Sequence, residues 1–204
     1  MCRKLTSVMC NGKIRAMKLI LLRHGETEEE KNGVILGRLP GALSDEGKEQ
    51  AKKTAEFIKR SKIAPEVIIS SDLARVSDYA AIIGREFDLK IERESLVCER
   101  SAGAVEGMTQ NNIDWEEYEK IEKPLRKHAG GESFEDVQGR AKEFLKKIET
   151  LPFNTAILVS HSVFLAMLTM EVCGWTLDDA LNYDFRNPLV IDTDKKGAES
   201  LPLH

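Results

Sequence analysis

The stretch Met17-Lys18-Leu19-Ile20-Leu21-Leu22-Arg23-His24-Gly25-Glu26-Thr27 decides the fold of this chain. It begins with an apolar run, and a run of about four to eight such residues before a turn signal is typical of a buried strand in an α/β sheet. Ligands of open α/β sheets bind beyond the carboxyl ends of the strands. Arg23 and His24 are therefore predicted at the functional edge of the sheet, where we expect Gly25 to let the backbone approach a ligand closely.

The adjacent Arg23 and His24 favour a phosphate site over a metal site. A guanidinium repels a metal cation, whereas its planar fork of donors matches the oxygens of a phosphate. An Arg-His-Gly triplet alone has low specificity, because a histidine bonded to a backbone group at a strand end gives the same pattern. The rest of the chain has to separate these interpretations.

Composition limits the classes of function. The chain has 204 residues, of which 42% are hydrophobic and 31% charged, as in globular proteins with a substantial core. No apolar run approaches the roughly 18 residues that span a bilayer. The formal net charge of −4 argues against a general nucleic-acid or membrane-surface binder. We therefore expect no nucleic-acid or membrane partner, and any anion site must be a local basic pocket.

The cysteines and the N-terminal segment bear on location. The chain has four cysteines, Cys2, Cys10, Cys98 and Cys173. Their spacing fits neither a Cys-x-x-Cys pair nor a zinc site, so we expect free thiols and a cytoplasmic protein. Residues 1–16 lack the apolar core and cleavage site of a secretory signal. We interpret them as a disordered leader or an upstream-start extension, although their basic composition also fits a transit peptide, and expect one domain over residues 17–204.

Strand and helix patterns alternate along the chain. After the first strand, further strands are predicted over residues 66–70, 155–159 and 187–192, with an edge strand over 89–94. Helical spacing of apolar residues predicts helices opening at Ser44 and Ser133, and over residues 72–87, 113–121 and 162–173. Such alternation indicates a mostly parallel sheet covered by helices on both faces, a three-layer α/β/α fold.

Four further segments place polar residues at predicted strand ends, helix starts or loops. They are Leu43-Ser44-x-x-Gly47, Ser70-Ser71-Asp72-Leu73-Ala74-Arg75, Leu96-x-x-Glu99-Arg100 and Leu158-Val159-Ser160-His161-Ser162. The second and fourth run from a strand into a helix, where backbone N–H groups favour an anion. Together with the first segment, and in this order over residues 17–192, they resemble the histidine phosphatase superfamily, the phosphoglycerate mutase-like proteins. Residues 37–44 are similar to the small phosphatase-type members.

The resemblance implies a role for each matching residue. His24 would be the nucleophile that takes the phosphoryl group, and it must be neutral to attack. Arg23, Arg75 and His161 would hold the phosphate oxygens and offset the charge that develops during transfer. Glu99 would protonate the leaving oxygen and then deprotonate the attacking water. The implied substrate-binding residues are Arg23, Thr27, Arg75, His161 and Ser162.

The resemblance also implies a small phosphorylated substrate and neither a metal ion nor another cofactor, because the guanidiniums can supply the positive charge. Glu106 lies in the same loop as Glu99 and is a second candidate for the proton donor. Only Leu96-x-x-Glu99-Arg100 matches the spacing that the family has for this acid, whereas Glu106-Gly107 matches a structural turn further along.

The chain departs from the family pattern at two positions. Family members commonly have asparagine where this chain has Glu30, and glycine where it has Ser162. A carboxylate at position 30 would repel a phosphate unless it points away or pairs with a base such as Lys31. The side chain of Ser162 would narrow the pocket. Both differences bear on substrate and rate more than on the chemistry.

Three functions compete at this stage. A phosphatase acting on a small metabolite is favoured over a phosphoglycerate mutase, since mutases carry a long insertion after the acid and only 31 residues separate Glu99 from Gly131 here. A non-catalytic phospho-ligand-binding protein is the third alternative, supported only by Glu30 and Ser162. The intact catalytic set argues against it.

The segment of about residues 104–131 is predicted to form a lid that sets the substrate, since loops diverge freely on one scaffold. Its cations are Lys120, Lys123, Arg126 and Lys127. They are interpreted as a solvated face balancing nearby glutamates, with contact to a second anionic group of the substrate as the alternative. His128 is expected to face solvent.

Overall fold

The computed structural model describes residues 16–194 and 197–200, so the expectation for the leader lies outside the described residues except at Ala16. Six strands form one sheet in the order β3-β2-β4-β1-β5-β6. They are β1 (Lys18–Arg23), β2 (Val67–Ser70), β3 (Ile91–Arg93), β4 (Thr155–Ser160), β5 (Leu189–Asp192) and β6 (Ala198–Ser200). The first four run parallel, and β5 and β6 are antiparallel to their neighbours. The prediction of a mostly parallel sheet is confirmed.

Helices cover both faces of the sheet. They are α1 (Glu28–Lys31), α2 (Asp45–Arg60), α3 (Ala74–Phe87), α4 (Trp115–Glu119), α5 (Phe134–Ile148), α6 (Ser162–Cys173) and α7 (Leu177–Asn182). The predicted caps are confirmed, because Ser44 accepts from the Gly47 N–H and Ser133 forms a reciprocal capping box with Asp136. Each cap satisfies a backbone donor that the helix itself leaves unpaired.

The alternating side chains of β1 enter two different cores. Leu19 and Leu21 pack against the face covered by α5 and α6, whereas Ile20 and Leu22 pack against the face covered by α2 and α3. Because side chains alternate along a strand, a strand covered on both sides must be apolar at nearly every position. The run that opens the sequence has this property, and the three-layer prediction is confirmed.

Several element boundaries differ from the sequence-based expectations. The third helix begins at Ala74 rather than Asp72, because Leu73 has the extended backbone of an N-cap. The helix expected over residues 113–121 spans only Trp115–Glu119, and the segment of residues 104–131 consists otherwise of short 3-10 turns and loops. Three elements were missed, α1, α7 and β6, each too short to show a periodic pattern.

The strand register brings the predicted site segments to one edge. Arg23 at the end of β1 pairs with Ser160 at the end of β4, so His24 and His161 follow on adjacent parallel strands. Ser70 at the end of β2 pairs with Val159 of the same β4. The polar segments that follow β1, β2 and β4 therefore lie together beyond the carboxyl ends of these parallel strands, the edge at which Arg23 and His24 were predicted.

The structure requires glycine at position 25 for a reason other than the expected approach of a ligand. A Cβ at Gly25 would lie 2.5 Å from the carbonyl oxygen of Gly47, and a Cβ at Gly47 would lie 2.2 Å from that of Glu26. The two glycines let the start of α2 pack directly on the chain that leaves β1. The close approach is thus between two backbone segments.

Candidate active site

A cavity of about 470 Å³ opens beyond the carboxyl end of β1. Four of the predicted site residues line it: Arg23, His24, Arg75 and Glu99. The others lie behind this wall. Thr27 is buried and caps α1, and Ser162 starts α6 with a half-buried side chain. His161 is completely buried and reaches the site through Arg75.

His24 is held as a neutral imidazole. Its side chain is 3% exposed, and its Nδ1 lies 2.7 Å from the carbonyl oxygen of Gly25. A carbonyl can only accept, so Nδ1 carries the proton and Nε2 keeps a lone pair. Burial and, after it, the positive charges of Arg23 and Arg75 together lower the pKa of His24 to about 3, against the opposing effect of the Gly25 hydrogen bond. The nucleophilic form is therefore the form present at neutral pH.

Arg75 uses all five of its N–H groups within the protein. Nε donates to Nε2 of His24 and Nη2 to Nδ1 of His161, both over 3.2 Å. The remaining N–H groups donate to the backbone carbonyls of Gly37, Leu39 and Pro40. The guanidinium is 1% exposed, and burial lowers its pKa while the nearby Glu99 carboxylate opposes that fall. Arg75 thus joins both histidines to the loop of residues 37–40.

The tautomer of His161 follows from its two partners. Nδ1 accepts from Arg75, so the ring proton is on Nε2, which donates to Oγ of Ser71 over 2.9 Å. That hydroxyl lies 3.3 Å from the Sγ of Cys98, the residue before Glu99. Burial first, then the electrostatic interaction with the nearby His24 ring and the positive charge of Arg75, holds the pKa of His161 well below its usual value. The two rings meet edge to face with centroids 5.3 Å apart.

Arg23 and Glu30 form an ion pair in the cavity wall. Nη2 of Arg23 contacts Oε1 of Glu30, and both residues line the cavity. The base that pairs with Glu30 is thus Arg23 and not Lys31, which lies 3.4 Å from Glu26 and 3.5 Å from Glu28. Consecutive helical residues point to different sides, which separates Glu30 from Lys31.

Arg23 also has an unpaired donor that could bind an anion. Its Nε is buried and has no hydrogen-bond partner among the described residues. A buried unpaired donor costs free energy, and such a donor at the wall of a cavity is suited to a phosphate oxygen.

The two candidate acids have different environments. Glu99 lines the cavity, and its Oε1 accepts from the N–H of Arg100 over 2.7 Å. Oε1 of Glu106 instead accepts from the N–H of Arg38, the N–H of Ala102 and the hydroxyl of Ser101, at 2.9–3.1 Å. Glu106 therefore ties two loops together, as its sequence context indicates.

A cluster of charged residues behind Glu99 was not predicted from the sequence. Glu132 accepts from Arg140, from Arg38 and from the N–H of Ser101, at distances of 2.8–3.2 Å. Arg140 also donates to the carbonyls of Leu96, Cys98 and Glu99. This cluster holds the backbone that carries Glu99, and nothing in its sequence pattern distinguishes it from surface charge.

The cations of the lid segment pair away from the cavity. Lys120 contacts Glu117, Lys123 contacts Asp178, and Lys127 lies 3.7 Å from Asp136. Arg126 donates to the carbonyls of Ile121 and Glu119. Their placement fits the interpretation as a solvated face.

His128 differs from expectation, since it is half-buried and stacks on Tyr118 with ring centroids 4.5 Å apart.

Within residues 16–194 and 197–200, no group of three or more His, Cys, Asp or Glu side chains is arranged to hold a metal ion. No helix in the same part of the chain has the length and apolar character needed to cross a membrane.

Comparison with known proteins identifies the family. The sequence model of the histidine phosphatase superfamily (branch 1) matches residues 19–196. Phosphoserine phosphatase 1 of Hydrogenobacter thermophilus is 34% identical over 165 residues, 78% of this chain and 77% of that protein. Glucosyl-3-phosphoglycerate phosphatase of Mycolicibacterium vanbaalenii is 30% identical over 183 residues, 81% of this chain and 78% of that protein. Proteins named as phosphoglycerate mutases also match, at lower identity.

The solved structures agree on the fold. A putative alpha-ribazole-5'-P phosphatase from Escherichia coli superposes with a TM-score of 0.78. That match covers 90% of this chain and 94% of the other at 23% identity.

Proposed function

The chain belongs to the histidine phosphatase superfamily, and we propose that it hydrolyses a small phosphate monoester through a phosphohistidine intermediate on His24. One observation carries the proposal. His24 is a buried, neutral imidazole with its lone pair on Nε2, and it lies beside two guanidiniums at the wall of a cavity.

In the first step, Nε2 of His24 attacks the phosphorus atom and the bond to the ester oxygen breaks. The proton on Nδ1 remains bonded to the carbonyl of Gly25, which stabilises the positive charge that the ring acquires. Arg23 and Arg75 bind the phosphate oxygens, and their fixed charge stabilises the transition state without reorganisation of solvent. His161 acts through Arg75, which it holds in place.

Glu99 supplies the proton that the leaving oxygen needs. In the second step a water attacks the phosphorus atom of the phosphohistidine, its bond to Nε2 of His24 breaks to release inorganic phosphate and the free imidazole, and the same carboxylate takes the proton from the water. One group can serve both steps because the first leaves it deprotonated. Its position in the cavity wall supports this assignment over Glu106, whose Oε1 already has three donors. The proposed chemistry requires no metal ion.

Hydrolysis fits the site better than mutase activity. A mutase has to retain a bisphosphate intermediate, which calls for a closed pocket with extra cations. Here only 31 residues separate Glu99 from Gly131, and the cations of that segment pair away from the cavity. The complete catalytic set also argues against a protein that only binds phosphorylated ligands.

A screen of phosphorylated metabolites for phosphate release tests the proposal, with His24→Ala as the control. Release from one or more esters by the wild-type protein, and from none by the variant, is the expected result.

We also propose that the protein acts in the cytoplasm. Cys98 and Cys173 are free thiols, and free thiols are typical of proteins in a reducing compartment.

A further inference from the structure

Glu30 lies within the positive field that a substrate phosphate would enter. Its carboxylate lines the cavity with His24 and pairs with Arg23. It is also near enough to Arg75 to oppose the lowering of that residue's pKa by burial. A phosphate that binds Arg23 must therefore compete with Glu30 or lie beside it.

The remaining exposed cations of the cavity wall already have carboxylate partners. Nζ of Lys31 lies 3.4 Å from Glu26. Arg186 donates to both carboxylate oxygens of Asp184 at 2.8–3.1 Å. A second anionic group on a substrate would consequently have to displace an existing ion pair.

The cavity wall thus favours a positively charged group on the substrate over a second negatively charged one. Once the phosphate takes Arg23, the Glu30 carboxylate loses its partner while an anion lies close by. Leaving a partly buried carboxylate unpaired is costly, and a like charge beside it raises that cost. A positively charged donor on the substrate would remove the cost, whereas a further carboxylate would add to it.

We propose that Glu30 is a specificity-determining residue that selects phosphate monoesters whose alcohol part carries an ammonium group near the ester oxygen. When the substrate binds, the Glu30 carboxylate gives up its ion pair with Arg23 and pairs with this ammonium instead. The inference rests on the proposed phosphatase function, because that function places the phosphate at Arg23 and His24.

The test compares two esters of similar size, 2-aminoethyl phosphate and carboxymethyl phosphate. Values of kcat/KM are measured for the wild type, Glu30→Gln and the control Glu56→Gln, which alters an exposed carboxylate paired with an arginine, Arg60, on α2 and away from the cavity wall. The quantity of interest is the ratio of the two esters within one protein, which is independent of the fraction of folded enzyme. Calorimetric Kd values for both esters are measured in parallel.

We expect the wild type and Glu56→Gln to favour the aminoethyl ester by the same ratio, and Glu30→Gln to lower that ratio about tenfold or more. The Kd ratio should move in the same direction. An unchanged ratio in Glu30→Gln, or an equal change in Glu56→Gln, overturns the inference. If neither ester nor any other is hydrolysed but the Kd ratio still responds to Glu30→Gln, the proposed hydrolysis fails and the binding preference stands.

Discussion

Nε of Arg75 donates to Nε2 of His24 over 3.2 Å, so the guanidinium contacts the atom that we propose as the nucleophile. The contact fixes the ring and keeps Nε2 unprotonated. In the proposed mechanism, Arg75 therefore has to shift its donors from the protein to the phosphate when the substrate binds. Arg75 would then both support the free site and bind the substrate.

Replacing Arg75 with lysine should damage both roles. A lysine ammonium cannot reproduce the planar fork that reaches two histidines and three carbonyls. We expect kcat/KM for p-nitrophenyl phosphate to fall at least about 10²-fold. Loss of this buried network should also lower the free energy of unfolding by about 2–4 kcal/mol, measured by urea denaturation. Arg85→Lys, on the exposed side of the same helix, is the control and should leave both quantities unchanged.

The low pKa of His24 predicts that kcat/KM depends little on pH on the acid side of neutrality. Protonation removes the lone pair, but the pKa of about 3 keeps the ring neutral far below pH 6.5. A histidine with the ordinary pKa of about 6.5 would be only about 3% neutral at pH 5. We expect kcat/KM for p-nitrophenyl phosphate, whose leaving group needs little protonation from Glu99, to change less than about threefold between pH 8 and pH 5 after correction for ionisation of the substrate, since this parameter reports the free enzyme. A fall of about thirtyfold over that range would show that His24 titrates normally.

The assignment of the proton donor predicts a leaving-group effect. Glu99→Gln should lower kcat for alkyl phosphates by about 10²–10⁴-fold, and by much less for p-nitrophenyl phosphate, whose leaving group needs little protonation. Glu106→Gln should instead lower stability, since a neutral amide oxygen is a weaker acceptor than the carboxylate whose Oε1 accepts three hydrogen bonds that join two loops. The opposite pattern, a leaving-group dependence in Glu106→Gln alone, would exchange the two roles.

Activity should survive removal of divalent metals. In the proposed mechanism, Arg23 and Arg75, which line the cavity with His24, balance the charge that develops on the phosphoryl group. Treatment with a chelator and measurement of phosphate release should leave the rate within about twofold, whereas loss of a catalytic metal costs orders of magnitude. A large loss that magnesium or zinc restores would contradict the proposed chemistry.

The central parts of the site were predictable because they lie where a strand ends. Apolar runs located β1 and β4, and the parallel pairing of those strands brings His24 and His161 together without further information. Arg75 was predictable for a related reason, since its segment leads from β2 into α3. The site residues found in the sequence are therefore the ones that secondary structure alone positions.

The missed features depend on tertiary contacts between charged residues. The pairing of Arg23 with Glu30 arises because the single turn of α1 folds the chain back on the end of β1, and four residues carry no periodic signal. The cluster of Glu132 and Arg140 has the composition of a solvated helix start. Charge patterns show which residues are available, whereas the fold decides which of them pair.

Trapping the covalent intermediate tests the account most directly. The wild-type protein is mixed with ³²P-labelled substrate and quenched within milliseconds under alkaline denaturing conditions, because phosphohistidine is stable in base and labile in acid. The label should remain on the protein, map to the peptide that contains His24, and be absent from His24→Ala, which should also release no phosphate. Turnover by His24→Ala, or a label on any other residue, would contradict the account.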